Sequence, residues 1–420
     1  MIEHLQASLW QVPLVGLMVA VGLAVLTVWV DATTDLSLLE AVITSDAQAA
    51  REVLSVVATS MLTFTALVFT ITIVVLQLAS SQYSPRITRA FLRDRQTKLT
   101  LGLFIGTFAY SLLVLRSVRT VDDGFIPTLS VGVTYLLVFA SLVTFIWYLD
   151  HVAQSIRVSQ IVRRLAMQGV AMYENNLREY ASAGGNETNV EEQPVARVLD
   201  WTGSPGVLGH IDEKRLAALA AKGRAIVRVR HAIGDFIPHG APVLDVLGTD
   251  VDLRDHELCA CVSIGADRTQ QQDLGLPIRH LVDVALRALS PGVNDPTTAV
   301  QALDYVHDLL RRLAGSELPP HQVSGPDGQV RLIVQRVSWA SLIGLAVTEI
   351  RLIAAHQIQV SRRVLSMLDD LLLIAPRERR PHLEQQRQLW IEATRDQYDA
   401  LEDLAAAHQA DSQGLGAGSH

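Results

Sequence analysis

The residues of this chain that could do chemistry begin with a set buried in an apolar run. Between positions 53 and 79 the sequence is almost wholly hydrophobic, yet Ser55, Thr59, Thr63, Ala66, Thr70, Val74, Gln77 and Ser81 recur along it. On a helix turning about 100° per residue they fall within about 60° of one line, a narrow strip of hydroxyls, small groups and one amide. Acyl chains offer such a strip no partner. It either glues membrane helices together or, repeated around a symmetry axis, lines a hydrated pathway. Thr59, Thr63, Thr70, Gln77 and Ser81 are the candidate pathway-lining residues. Thr65 and Thr72 lie on another face and are expected to bond locally or to a neighbouring helix.

A second set follows directly. Residues 80–86 (SSQYSPR) close with a proline that should end the helix, and Arg86, Arg89 and Arg93 come next. Their guanidinium groups suit anionic lipid headgroups or, if the pathway exists, a permeating anion.

The densest polar signal comes late in the chain. Residues 268–273 (RTQQQD) precede an apolar-periodic stretch at 276–289, and residues 290–298 (SPGVNDPTT) follow it. Pro291 and Gly292 turn the chain, Asp295 can cap a new helix, and Pro296 suits its first position. A tight turn between helices accounts for this pattern. Free amides at a helix start can also hold an anion, which makes Arg268, Ser290, Asn294, Asp295 and Thr297 candidates for a ligand or subunit contact.

Other groupings point away from catalysis. Cys259 and Cys261 are the only cysteines, too few for a disulfide framework, and on a strand they would share one face. With His256 they lack the wider spacing and fourth ligand of a zinc site, so packed, reduced thiols are expected and no metal is assigned. His231, His239, His256 and His280 have no ligand-like spacing. Nucleophile-elbow, phosphate-loop and His-Glu-x-x-His patterns are absent. No catalytic residue and no cofactor is assigned, and the chain is expected not to be an enzyme.

These residues must be positioned by a membrane part and a water-soluble part. Runs at 12–30, 53–79, 99–115 and 126–149 contain no Asp, Glu, Lys or Arg. A hydrocarbon core of about 30 Å takes about 20 apolar residues per helix, so three runs span comfortably and 99–115 marginally. The first run has no basic flank and no convincing cleavage site, and is read as retained. The segment 31–52 is acidic, while 80–98 carries Arg86, Arg89, Arg93, Arg95 and Lys98. The positive-inside rule then puts both termini and the 80–98 loop in the cytoplasm of a bacterial inner membrane. The expected architecture is a four-helix transmembrane bundle (1–154) followed by a mixed α/β, mostly helical cytoplasmic domain. Within that domain, residues 155–200 read as a helical extension and mobile linker, 201–275 as a small sheet-containing subdomain, 276–408 as helical, and 409–420 as a disordered tail. The formal net charge of −8 gives no reason to expect nucleic acid.

Residues 76–86 (LQLASSQYSPR), 234–243, 267–273 (DRTQQQD) and 289–298 (LSPGVNDPTT) together resemble the bacterial membrane-protein family called domain of unknown function 2254. The resemblance spans nearly the whole chain. It implies four spans and a soluble domain, and brings no substrate or catalytic residue with it. Where that family usually presents Phe after the motif's proline, this sequence has Thr297.

Two function classes fit this layout. One is a homo-oligomeric channel or pore for an ion or small solute, with the second span lining the pathway and the soluble part regulating it. The other is a membrane-anchored sensor or scaffold whose soluble part binds a ligand or partner. The lipid bilayer is a partner in both.

Overall fold

The structure is a computed structural model that describes residues 10–34, 47–82, 94–118, 126–155, 158–181, 193–248, 253–266, 268 and 272–416. It divides into two compact units, Met1–Gln160 and Ile161–His420, so the division falls beyond the expected 154. Arg86, Arg89 and Arg93 lie outside the described residues, as do most of the expected linker and the last four residues of the tail.

Among its described residues, unit 1 forms four long helices, α1 (Gln11–Thr33), α2 (Ala47–Gln82), α3 (Arg95–Ser117) and α4 (Thr128–Ser155). All four are long and apolar enough to cross a membrane. Helices suit these segments because hydrocarbon offers backbone amides no partner and a helix satisfies them internally. The run expected to span only marginally extends to 23 residues as α3 and is the most buried of the four. Its start is fixed by Asp94, whose carboxylate accepts the Gln96 and Thr97 amides.

Where α1 meets α3 the two backbones touch. A Cβ added to Gly16 would sit 2.6 Å from the Gly102 carbonyl oxygen, and one on Gly106 would sit 3.2 Å from that of Gly16. Small residues permit such approach, and dispersion then holds the pair together where no hydrophobic drive exists between helices. Phe64, Phe104 and Phe145 join α2, α3 and α4, with ring centroids 5.0 to 6.3 Å apart.

Unit 2 contains α5 (Val158–Ala181) from Ile161 onward, two sheets and a helical bundle. A five-stranded sheet has the order β1-β5-β3-β8-β7. Its members are β1 (Val195–Asp200), β3 (Ile226–Ala232), β5 (Pro242–Leu247), β7 (Gln322–Ser324) and β8 (Val330–Gln335). A three-stranded sheet has the order β4-β2-β6, from β2 (Gly206–Ile211), β4 (Phe236–Ile237) and β6 (Val262–Gly265). The helix α6 (Glu213–Lys222), capped by Asp212 through the Arg215 amide, follows β2. Leu216 and Ala220 of α6, Val227 and Val229 of β3, Val246 of β5 and Leu332 of β8 share one buried core.

Two expectations are corrected here. Residues 195–200 are strand β1, antiparallel to β5, and not linker. Nor is 276–408 wholly helical: β7 and β8 pair antiparallel, and β8 then runs parallel to β3. The sheet is therefore completed by chain lying well beyond 275. The physical reason is the turn at 325–328, where Gly328 takes φ +73° and the Gly325 amide donates to the Gln329 carbonyl.

The bundle consists of α8 (Gly275–Ala288), α9 (Pro296–Ala314), α10 (Trp339–Ala354), α11 (Ile358–Ile374), α12 (Arg380–Arg395) and α13 (Leu401–His408), with α7 (Asp255–Cys259) a single short turn beside β6. Cys259 thus ends a helix and Cys261 sits in the following turn, so the two do not share a strand face. The tail is ordered at least to Gly416. Asp411 is buried, its amide donates to the Arg362 carbonyl, and its carboxylate accepts from Gln413 and Gly416.

Candidate functional site

The strip on α2 faces outward from its own unit. Ser55, Thr59, Thr63, Ala66, Thr70, Val74 and Gln77 are all exposed on the single chain, whereas Leu54, Ala58, Met61, Val68 and Val75 turn inward and are buried. The hydroxyls of Thr59, Thr63 and Thr70 donate to the carbonyls of Ser55, Thr59 and Ala66, each one turn back. Thr65 and Thr72 do the same toward Met61 and Val68, and the Thr72 hydroxyl also lies 3.0 Å from that of Tyr148 on α4. Thr72 is therefore glue within the unit, and the strip is not. The side chain of Ser81 lies outside the described set.

Polar glue inside unit 1 comes from other residues. Tyr110 donates to the Ser130 carbonyl (3.1 Å) and lies 2.9 Å from the Thr27 hydroxyl. The Thr107 and Ser141 hydroxyls meet at 3.3 Å. Asp31 accepts from the Leu129 and Ser130 amides and the Ser130 hydroxyl, at 2.8, 3.0 and 2.6 Å, so the end of α1 caps the start of α4. Asp94 pairs with His151 at 3.1 Å, tying the start of α3 to the end of α4.

In unit 2 the candidate ligand residues separate into two places. Arg268 is paired to the fully buried Asp273 at 2.9 Å and lies over Gly234, whose φ of +97° a larger residue would adopt only with strain. A Cβ there would also collide with the guanidinium. Burial pushes the Asp273 carboxyl above the usual range, against the opposing pull of Arg268. Asp273 further accepts the Gly275 and Leu276 amides at the start of α8, while Gln272 bonds both backbone groups of Ile211. Tyr173 of α5 donates to the Leu274 carbonyl at 2.7 Å. Arg268 and residues 272–276 thus form a junction joining sheet, α5 and bundle.

Ser290, Asn294, Asp295 and Thr297 lie instead in the turn between α8 and α9. Asp295 accepts the Thr298 amide (3.1 Å) and hydroxyl, so a carboxylate of the chain already holds a position an anion would take. Asn294 adopts φ +47° and accepts from Gln357 at 3.3 Å. Ser290 donates to the Arg287 carbonyl, and Thr297 is exposed. None of these four bonds to Arg268.

A family model described as a predicted membrane protein (DUF2254) matches residues 6–370. The chain belongs to that family. An uncharacterized protein of Mycobacterium bovis and one of Mycobacterium tuberculosis are each 29% identical to it over 380 residues, covering 87% of this chain and 72% of theirs. No solved structure matches.

For this DUF2254 chain, two segments that carried the family resemblance therefore have a structural role at the junction: 234–243 supplies Gly234, and 267–273 supplies Arg268, Gln272 and Asp273. A third, 289–298, forms the α8–α9 turn. Sequence reading missed a charge network between α9 and α11. Arg363, buried, donates to Asp304 and to His307 Nδ1, and His307 Nε2 meets Asp370, which Arg311 also grips. Burial holds His307 below its usual pKa despite Asp370. Burial also acts to raise Asp370, but bonds from Arg311 and His307 hold it below the ordinary carboxylate range. The signal was present as the i, i+3 and i+7 spacing of Asp304, His307 and Arg311, one helix face facing Arg363 and Asp370 across the bundle.

Proposed function

We propose that this membrane protein assembles as a homo-oligomeric channel in the bacterial inner membrane, copies of α2 lining a pathway for an ion or small solute. Unit 2 and both termini then lie on the cytoplasmic side, with unit 2 regulating the pathway and performing no catalysis. The observation that carries this reading is the outward-facing strip on α2. Gln77 adds an amide, and placing such a group in hydrocarbon without a partner costs several kcal/mol. A neighbouring copy or water removes that cost. Thr59, Thr63 and Thr70, with their protons already given to the helix, still present hydroxyl lone pairs suited to a passing cation or to water. The acidic 31–52 and basic 80–98 segments support the orientation.

The test is reconstitution with current recording. Thr63→Cys and Thr70→Cys, modified by a water-borne charged thiol reagent, should lose most of the current, and Leu54→Cys on the buried face should not respond. A chain that stays monomeric in lipid and passes neither ion nor solute sinks the proposal. A ligand-sensor reading draws no support from the cavity bounded by Ile233, Asp273, Pro319 and Arg336, whose volume of about 20 Å³ admits about one water.

A further inference from the structure

The charge network between α9 and α11 fixes where His307 carries its proton. A guanidinium donates hydrogen bonds and accepts none. Arg363 Nη2 lies 3.0 Å from His307 Nδ1, so Nδ1 is the acceptor and bears no hydrogen. The ring's one proton is then on Nε2, which donates to Asp370 at 2.7 Å. A single tautomer of the neutral ring fits, and the nitrogen left to titrate is the one that faces an arginine.

Charge around the ring balances while the ring is neutral. Arg363 gives its Nε to Asp304 at 2.6 Å, and Arg311 grips Asp370, so two cations stand against two carboxylates. Other charges of the adjoining helices are committed elsewhere. Along α9, Asp308 is held by Arg312, which also faces Glu174 of α5. Between α8 and α10, Arg279 holds Asp283 and Glu349. On the far side of α11, Asp369 is paired with Arg387 of α12, and Arg362 donates to the Ala406 carbonyl of α13. A proton on Nδ1 therefore adds a third cation to two carboxylates.

The same proton takes an acceptor from Arg363. That side chain is only 5% exposed, and its Nη1 is buried with no acceptor among the described residues. Without Nδ1 the guanidinium keeps Asp304 as its one partner. A buried donor left unpaired and two like charges in contact are both costly where water is excluded. Water entering between α9 and α11 relieves both. Solvent protons can reach the site, because the His307 side chain is 19% exposed.

We infer that His307 is a proton-operated latch within unit 2: the neutral ring holds α9 against α11, and protonation at Nδ1 expels Arg363 and opens these two helices locally while the sheets stay closed. The inference does not depend on conduction, so the two fail separately. Burial keeps the ring neutral to below the usual histidine range, which places the opening below about pH 6.5.

It is tested by hydrogen–deuterium exchange of the full chain in nanodiscs, read by mass spectrometry at about pH 7.5 and about pH 5, with exposure times scaled to the intrinsic exchange rate. Peptides from α9 and α11 should exchange about tenfold faster at the lower pH, and peptides from β3 and β5 should not change. His307→Gln gains no charge in this range, and Arg363→Gln removes the opposing cation while leaving the histidine. Each should abolish the acid-dependent rise. Should a variant fold poorly, the contrast between helices and sheet in the unaltered chain still decides. Exchange that does not rise in α9 and α11, that rises equally in the sheet, or that rises unchanged in either folded variant overturns the inference.

Discussion

At the scale of single residues, unit 2 is governed by a few charges kept away from water. Asp273 is held at the junction by Arg268 and by two helix-start amides. Truncating Arg268 to Ala leaves a buried carboxylate without its counter-ion, a loss of about 3–5 kcal/mol when full burial applies. Thermal unfolding of the detergent-purified chain should show a drop of several degrees, and Lys222→Ala, exposed and outside the junction, should show little. His307 gives a pH signature. Its pKa is lower when folded than the usual 6.5, so the unfolded chain takes up the proton first. Its contribution is present above about 6.5 and is lost as pH falls below it. The melting temperature should therefore decline between about pH 7.5 and 5.5, and less so in His307→Gln. An identical decline in both proteins would assign the effect elsewhere.

Among the elements, α3 is the hub of unit 1, meeting α1 through glycine and α2 and α4 through phenylalanine. Gly16→Val should separate α1 from α3 and lower the melting temperature markedly. Gly22→Val, where an added Cβ meets nothing within 4 Å, should leave it almost unchanged. Equal melting temperatures for the two variants would show that the crossing is not the tight contact described. The four spans were legible because an uninterrupted apolar run needs no tertiary information. So were α8, α9 and the turn between them, whose Pro, Gly and Asp act locally. The strands β1, β7 and β8 were not, because three to six residues carry little periodic signal and their pairing partners lie far off in sequence. The ordering of 411–416 was equally hidden, since Asp411 owes its place to Arg362 on another helix.

For the whole molecule, the α2 strip concerns what surrounds the chain more than the chain itself. Substituting Thr59, Thr63 and Thr70 together by Val keeps the shape and removes the hydroxyls. Conductance of the reconstituted protein should fall by about tenfold or more while the melting temperature stays within a few degrees, since these side chains are exposed among the described residues. A large stability loss with normal current would identify the strip as packing. The strip's period was readable from sequence, but which way it faced was not, because that depends on how α3 and α4 occupy the other side of α2. The parallel pairing of β3 with β8 has a consequence for biosynthesis. Val227 waits for Leu332, about a hundred residues later, while all four spans have already left the ribosome. During that interval β3 has one open edge, available for pairing with another chain. Truncation before 330 should leave an inserted but protease-sensitive protein.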